Sequence, residues 1–94
     1  MFAIAFDLDY NTTAALHPVS VRQAYREIDT VLRRYGYERI QQSVFMNPDD
    51  DLVSVTQAMT ALKALPWFSS CVKDIRAFRV ENWSDFTSFF ARNR

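Results

Sequence analysis

Large apolar residues alternate with small or acidic ones from the second residue onward. Phe2, Ile4, Phe6 and Leu8 fall on one side, and Ala3, Ala5 and Asp7 on the other. Period two predicts a strand over 2–8 with its bulky side against helices. The second side is small and apolar at Ala3 and Ala5, where a solvent face would be polar. A flat neighbour should approach it, and a second subunit is the natural candidate. Asp7, and Asp9 two residues on, continue that side at the strand's C-terminal end. Residues 10–17, YNTTAALH, carry no period and are expected to form a loop. Pro18 sits where a helix can begin. Val21, Tyr25, Ile28, Val31, Leu32 and Tyr35 then recur at steps of three and four, one apolar stripe of an amphipathic helix. Gly36, the only glycine, falls where a left-handed C-terminal cap is wanted.

Residues 37–47 favour strand through Tyr37, Ile40, Val44 and Phe45, but eleven residues are long for one strand, so Gln41–Gln42 marks a hairpin turn or bulge. Asp49, Asp50 and Asp51 precede Leu52, Val55, Met59 and Leu62 at helical spacing, until Pro66 stops the helix. The acidic run suits a helix N-terminus and has no EF-hand spacing. Trp67, Phe68 and Cys71 belong to the connection into a strand over 72–81. That strand sets Arg76, Phe78 and Val80 on one face and Ile75, Ala77 and Arg79 on the other. Ser84 is placed to cap a short last helix bearing Phe86, Phe89 and Phe90. The order β-α-β(β)-α-β-α, in one domain over 1–94, fits a split βαβ: an α+β fold with an antiparallel sheet, two main helices on one face and a short C-terminal helix.

Composition narrows the function. Eleven basic residues balance eleven acidic ones, so no polybasic arm or acidic tail drives binding. A neutral protein holds nucleic acid locally rather than by bulk charge. One Cys and one His cannot build a disulfide framework or a Cys/His zinc site, and Cys71 reads as a buried small apolar residue. No apolar run approaches the roughly 20 residues of a membrane span, and the N-terminus lacks a signal-peptide pattern, so a cytoplasmic protein is expected. Nine of the eleven cations are Arg, whose planar fork suits phosphates and carboxylates.

Each chemically suggestive residue has an ordinary reading beside the functional one. Asp7 is a catalytic or metal-ligating acid, or a strand-end Asp closing a turn. Asp9 is a second ligand, or the first acid of a loop. Ser43 bonds a phosphate, or satisfies a strand end. Arg39, Arg76 and Arg79 clamp phosphates, or pair with Glu38, Glu81 or Asp74. His17 is a general acid, or an uninvolved loop histidine. Tyr10 and Tyr37 stack on unpaired bases, or pack.

The segments MFAIAFDLD, HPVSVRQAYREIDTVLRRYGYERIQQSVF, QAMTALKAL and DIRAFRVENWSDFT together resemble the virulence-associated protein D (VapD) family over residues 1–90. Asp7 and the RIQQSVF segment also resemble the small CRISPR-associated proteins of ferredoxin-like fold. The resemblance implies a ferredoxin-like homodimer that cleaves RNA as an endoribonuclease, and that serves as the toxin of a pair with a small antitoxin protein. It implies that Asp7 is the important acid, contributed by both subunits across the dimer cleft, where the two copies can share one Mg²⁺ or Mn²⁺ ion. Ser43 is the serine of the matching SVF segment. The CRISPR-associated proteins usually carry an acid after SVF, whereas this chain has Met46, and no role carries over there. The competing expectation is a non-catalytic ferredoxin-like dimer that binds nucleic acid or a protein, since the fold hosts many functions.

Overall fold

The computed structural model describes residues 1–91. Its elements are β1 (Phe2–Leu8), α1 (Tyr10–Leu16), α2 (Val21–Arg33), β2 (Glu38–Gln41), β3 (Val44–Asn47), α3 (Leu52–Lys63), α4 (Phe68–Cys71), β4 (Val72–Arg79) and α5 (Thr87–Ala91). The sheet runs β2-β3-β1-β4 and every neighbouring pair is antiparallel. This is the ferredoxin-like α+β arrangement that the element order predicts.

The β1 alternation sets the layers. Phe2, Ile4, Phe6 and Leu8 are buried with Phe45 against Ala24, Ile28, Leu32, Ala58 and Leu62 of α2 and α3. Each large side chain so buried contributes about 1.5–3 kcal/mol of transfer free energy, which makes the central strand the anchor of the fold. Ser20, two residues past Pro18, caps α2 by accepting a hydrogen bond from the Gln23 N–H. At the other end the Tyr37 N–H reaches the Leu32 carbonyl and the Gly36 N–H reaches that of Arg33, with Gly36 at φ +87°. That is a Schellman closure, and a left-handed residue is what it requires. Asn47, buried at the end of β3, locks the junction by donating from Nδ2 to the Tyr35 carbonyl at 3.0 Å.

Several expectations are corrected. The segment after β1 is a helix rather than a loop. YNTTAAL lacks an apolar stripe, and its helix is held by polar fixings instead. Asp9 caps it through the Thr12 N–H, and buried Thr13 donates from Oγ1 to the Asp9 carbonyl at 2.7 Å. The β2–β3 turn falls at Gln42–Ser43, one residue later than expected, and a bulge at Ile40 absorbs the offset. The last strand ends at Arg79. The last helix begins at Thr87, with the Asp85 carboxylate rather than Ser84 accepting the Thr87 N–H. Of the acidic run, Asp51 caps α3 and Asp50 pairs with Arg79 at 3.1 Å.

The face of the sheet away from the helices is only half open. Ala3 is already buried within the single chain. Met46 and Phe78 flank it in register, and Trp83 borders a pocket with Met1, Ile40 and Met46 on that side. The open half is the other end of the same face, around Ala5 and Asp7. No helix among the described residues is long and apolar enough to cross a membrane.

Candidate active site

Register brings together on that open half what the sequence leaves apart. In an antiparallel pair, residues directly opposite share a face. Ala5 lies between Val44 and Arg76, and Asp7 lies opposite Asp74. Both aspartates are exposed. Facing like charges weaken a ladder, so this pairing opposes stability where it stands. The Arg76 Nε donates to both Asp74 oxygens, at 3.1 and 3.2 Å, and leaves Asp7 without a cation of its own in that contact. Directly beyond Asp7 the register slips, with Leu8 opposite Val72, so that Lys73 is the extra residue of a β-bulge. Bulges bend a strand and re-aim its side chains, and they concentrate beside active sites.

Ser43 is tied to the same end of the sheet. Its carbonyl accepts the Phe6 N–H at 3.0 Å, which fixes the hairpin turn one residue before Asp7. Asp7 and Arg76 therefore share this open half, with Asp74 added to them, whereas Ser43 faces Phe6 across the strands and is tied to the site through its backbone alone. Asp9 and Arg39 stand elsewhere. Asp9 is turned into α1, where the Thr12 N–H at 2.8 Å holds its carboxyl below the ordinary aspartate range. Arg39 lies opposite Phe45 and so belongs to the helix side of the sheet. Arg79 is at the far end, paired with Asp50 and lying over the Phe2 ring at 5.6 Å.

Asp74 is the residue that sequence reasoning missed. The alternation of β4 puts it on the face of Arg76 and Phe78, but only the register shows that it meets Asp7. His17 is taken out of consideration as a general acid. Its ring is buried against Trp67, with centroids 5.1 Å apart. Nδ1 accepts the Val19 and Ser20 N–H groups at 3.0 and 3.2 Å, and this places the ring proton on Nε2, directed at Glu27. Tyr37 is likewise buried and cannot stack on a base, and burial pushes its phenol up. Tyr10 is exposed.

A divalent ion needs hard oxygen donors, and Mg²⁺ commonly takes one or two carboxylates and fills its shell with water and phosphate. Asp7 and Asp74, facing each other across β1 and β4, are the two carboxylates that would offer such donors. Among the described residues no three His, Cys, Asp or Glu side chains converge into a closed cage.

This geometry has relatives. The profile of the family described as CRISPR associated protein Cas2 matches residues 1–87. A protein of Neisseria gonorrhoeae named Endoribonuclease VapD homolog is 51% identical over 88 residues, which is 94% of this chain and 96% of that protein. Endoribonuclease VapD of Haemophilus influenzae is 51% identical over 89 residues, 95% and 97% of the two chains. Endoribonuclease VapD of Helicobacter pylori is 37% identical over 89 residues, 93% and 95%. The chain belongs to the VapD proteins of the Cas2 family. The Cas2 match takes in all four strands and ends at residue 87, where α5 starts. The VapD matches cover nearly the whole of both chains, so Asp7, Ser43 and Asp74 lie inside the shared domain rather than in an appendage.

Proposed function

We propose that the chain is an endoribonuclease whose active centre is the Asp7–Asp74 pair at the open end of the sheet. The observation that carries this reading is the facing of two exposed carboxylates across β1 and β4, beside a bulge and an arginine. Such a pairing costs stability and serves no packing purpose, while relatives that cover nearly the same chain bear the name endoribonuclease.

Cleavage requires a nucleophile in line, a proton acceptor and stabilisation of the charged phosphorane. Asp7 accepts the proton of the attacking hydroxyl. If the attacker is the RNA 2′-OH, its oxygen bonds to phosphorus, the P–O5′ bond breaks, and the 5′ oxygen takes a proton from water, giving a 2′,3′-cyclic phosphate and a 5′-OH. If the attacker is water, its oxygen bonds to phosphorus and the leaving oxygen departs as a hydroxyl, giving a linear phosphate end. Arg76, held at Asp74, is within the same patch to bind a phosphate oxygen. Mg²⁺ or Mn²⁺, when held by Asp7 and Asp74, would neutralise charge on the phosphoryl oxygens.

A homodimer with Asp7 of both subunits in one cleft completes this reading. Several features favour a second copy as the neighbour. Phe78 is exposed on the half-open face, and Phe86, Phe89 and Phe90 stand 64%, 61% and 64% exposed on the C-terminal arm. The radius of gyration, 14.4 Å, exceeds the about 12 Å of a compact chain of this length. The toxin role, with restraint by a small antitoxin protein, is the physiological part of the proposal.

The test is a labelled RNA incubated with purified protein, with and without Mg²⁺ or EDTA, beside Asp7→Asn. Equal cutting by both proteins would place the activity elsewhere. Sedimentation of wild type and Ala5→Arg tests the dimer, with the wild type expected at twice the monomer mass and the variant at one. Growth arrest on induced expression, relieved by a co-expressed neighbouring small protein, tests the toxin role.

A further inference from the structure

A second concavity lies around the end of the sheet from the carboxylates, on the helix side. It has a volume of about 530 Å³ and is lined by Arg22, Arg26 and Arg39 with Tyr10, Tyr25 and Gln42. Small-ligand clefts run to roughly 300–1,000 Å³, so this one has room for a nucleotide. All three guanidinium groups are exposed, and none is paired with a carboxylate among the described residues. Arg33, Arg76 and Arg79, by contrast, each have an acid.

The placement of these arginines works against local stability. Arg22 is in the first turn of α2, which holds no acid, and a cation there opposes the helix dipole. Arg26 is four residues on, so the two like charges repel along one helix face. Arg39 closes on them from β2. Three converging forks with unmet hydrogen-bond capacity call for an anion with several oxygens.

The aromatic residues add a second requirement. Tyr10 is exposed at the mouth, and Tyr25 is half-buried, its ring seated on Phe6 at 6.1 Å. A flat ring pinned from behind and another free at the rim form a surface on which a base can stack. The groove is also contiguous with the carboxylate face. Gln42 adjoins Ser43 in the same turn, and Tyr10 follows Asp7 by three residues.

Resting on the endoribonuclease reading, we infer that this groove is a binding subsite for single-stranded RNA adjoining the scissile link. Arg22, Arg26 and Arg39 grip the phosphates, and Tyr10 and Tyr25 carry an unpaired base. The strand bends over the end of the sheet, from the carboxylates into the groove. A neutral protein thereby gains local affinity for RNA without a basic surface.

The test measures binding of a fluorescein-labelled single-stranded 12-mer to the uncut complex of Asp7→Asn, with and without Arg22→Gln plus Arg26→Gln. The expected result is a Kd raised at least tenfold and a log–log salt dependence reduced by about 1.4, at about 0.7 for each lost phosphate contact on a single strand. Tyr10→Ala is expected to lose about tenfold with the same oligonucleotide but nothing with one carrying an abasic spacer at the stacked position. A purely structural tyrosine would not make that distinction. Melting curves establish that the variants fold, as the removal of charge from the α2 N-terminus favours. An unchanged Kd and salt slope, while the wild type cuts RNA, overturns the subsite and leaves the endoribonuclease reading standing. A wild type that neither binds nor cuts RNA overturns both. Loss of binding to a polyglutamate peptide with RNA binding intact overturns the subsite in favour of an acidic protein partner.

Discussion

Asp7→Asn is expected to make the protein more stable and inactive at once. The asparagine keeps the shape and removes one of two charges that face each other across β1 and β4. Residues directly opposite in an antiparallel pair lie about 5 Å apart. Two unit charges at that distance in water repel by about 0.8 kcal/mol, and screening at 0.15 M salt reduces this to about 0.4 kcal/mol. That lies within the range of about 0.2–1 kcal/mol for cross-strand pairs. For a domain of this size, Tm should rise by about 2–3 °C. In 1 M salt the Debye length is about 3 Å, so the gain should shrink to about 1 °C. Asp74→Asn removes the same repulsion but also weakens the Arg76 contact, so its own gain should be smaller, and adding Asp7→Asn to it should bring little more, the signature of a coupled pair. Thermal melts in EDTA at the two salt concentrations measure this. Cleavage of a labelled RNA by the same preparations should fall by about 10²–10⁴-fold, the usual worth of a positioned acid–base group. Repulsion between Asp7 and Asp74 is excluded if Asp7→Asn melts below wild type, or if its gain is the same at both salt concentrations. Either result would mean that the carboxylate makes a stabilising contact rather than standing against Asp74.

Gly36→Ala should cost about 1–2 kcal/mol in denaturant unfolding, because a side chain is forced into the left-handed region and its Cβ would lie 3.2 Å from Asn47 Nδ2. His17→Ala should destabilise by about 1–3 kcal/mol, since the Val19 and Ser20 N–H groups and Glu27 lose their partner, with no change in the pH profile of kcat. A changed profile would return His17 to the chemistry. Asp9 and Asp85 have carboxyls held below the ordinary aspartate value of 3.8, Asp9 first by the Thr12 N–H and Asp85 first by the Thr87 hydroxyl and then by its N–H. A depressed folded-state value means that their stabilisation is complete above about pH 4 and is lost as pH falls through the lower value. Asp9→Asn, still a good cap, should therefore flatten the acid limb of a Tm-against-pH curve while leaving the neutral Tm nearly unchanged.

The parts of the fold written in side-chain periodicity were legible. The two-residue alternation of Phe2, Ile4, Phe6 and Leu8, and the three-and-four stripe from Val21 to Tyr35, each reflect burial on one face, and burial is what a hydrophobic pattern records. Gly36 was legible because the left-handed position admits few other residues. Helix α1 was not, since its stability comes from Asp9, Thr13 and His17 and not from an apolar stripe. Asp7 stood out by resemblance to VapD proteins, and Ser43 with it. Asp74 did not, because a like-charge pair across strands depends on register, and a single sequence contains no register. The same holds for the arginine groove. Arg22 and Arg26 read as the solvated side of an amphipathic helix until the β2–β3 hairpin folds Arg39 against them.

Internal cutting of RNA by a centre that contains Asp7 is best measured on a closed circular RNA, which offers no end to an exonuclease. Purified wild type should convert the circle to a full-length linear molecule before smaller fragments accumulate, and Asp7→Asn should leave it closed. A circle that survives wild type while a linear RNA of the same sequence is degraded would show the protein to be an exonuclease, and a circle opened at equal rates by both proteins would remove Asp7 from the centre.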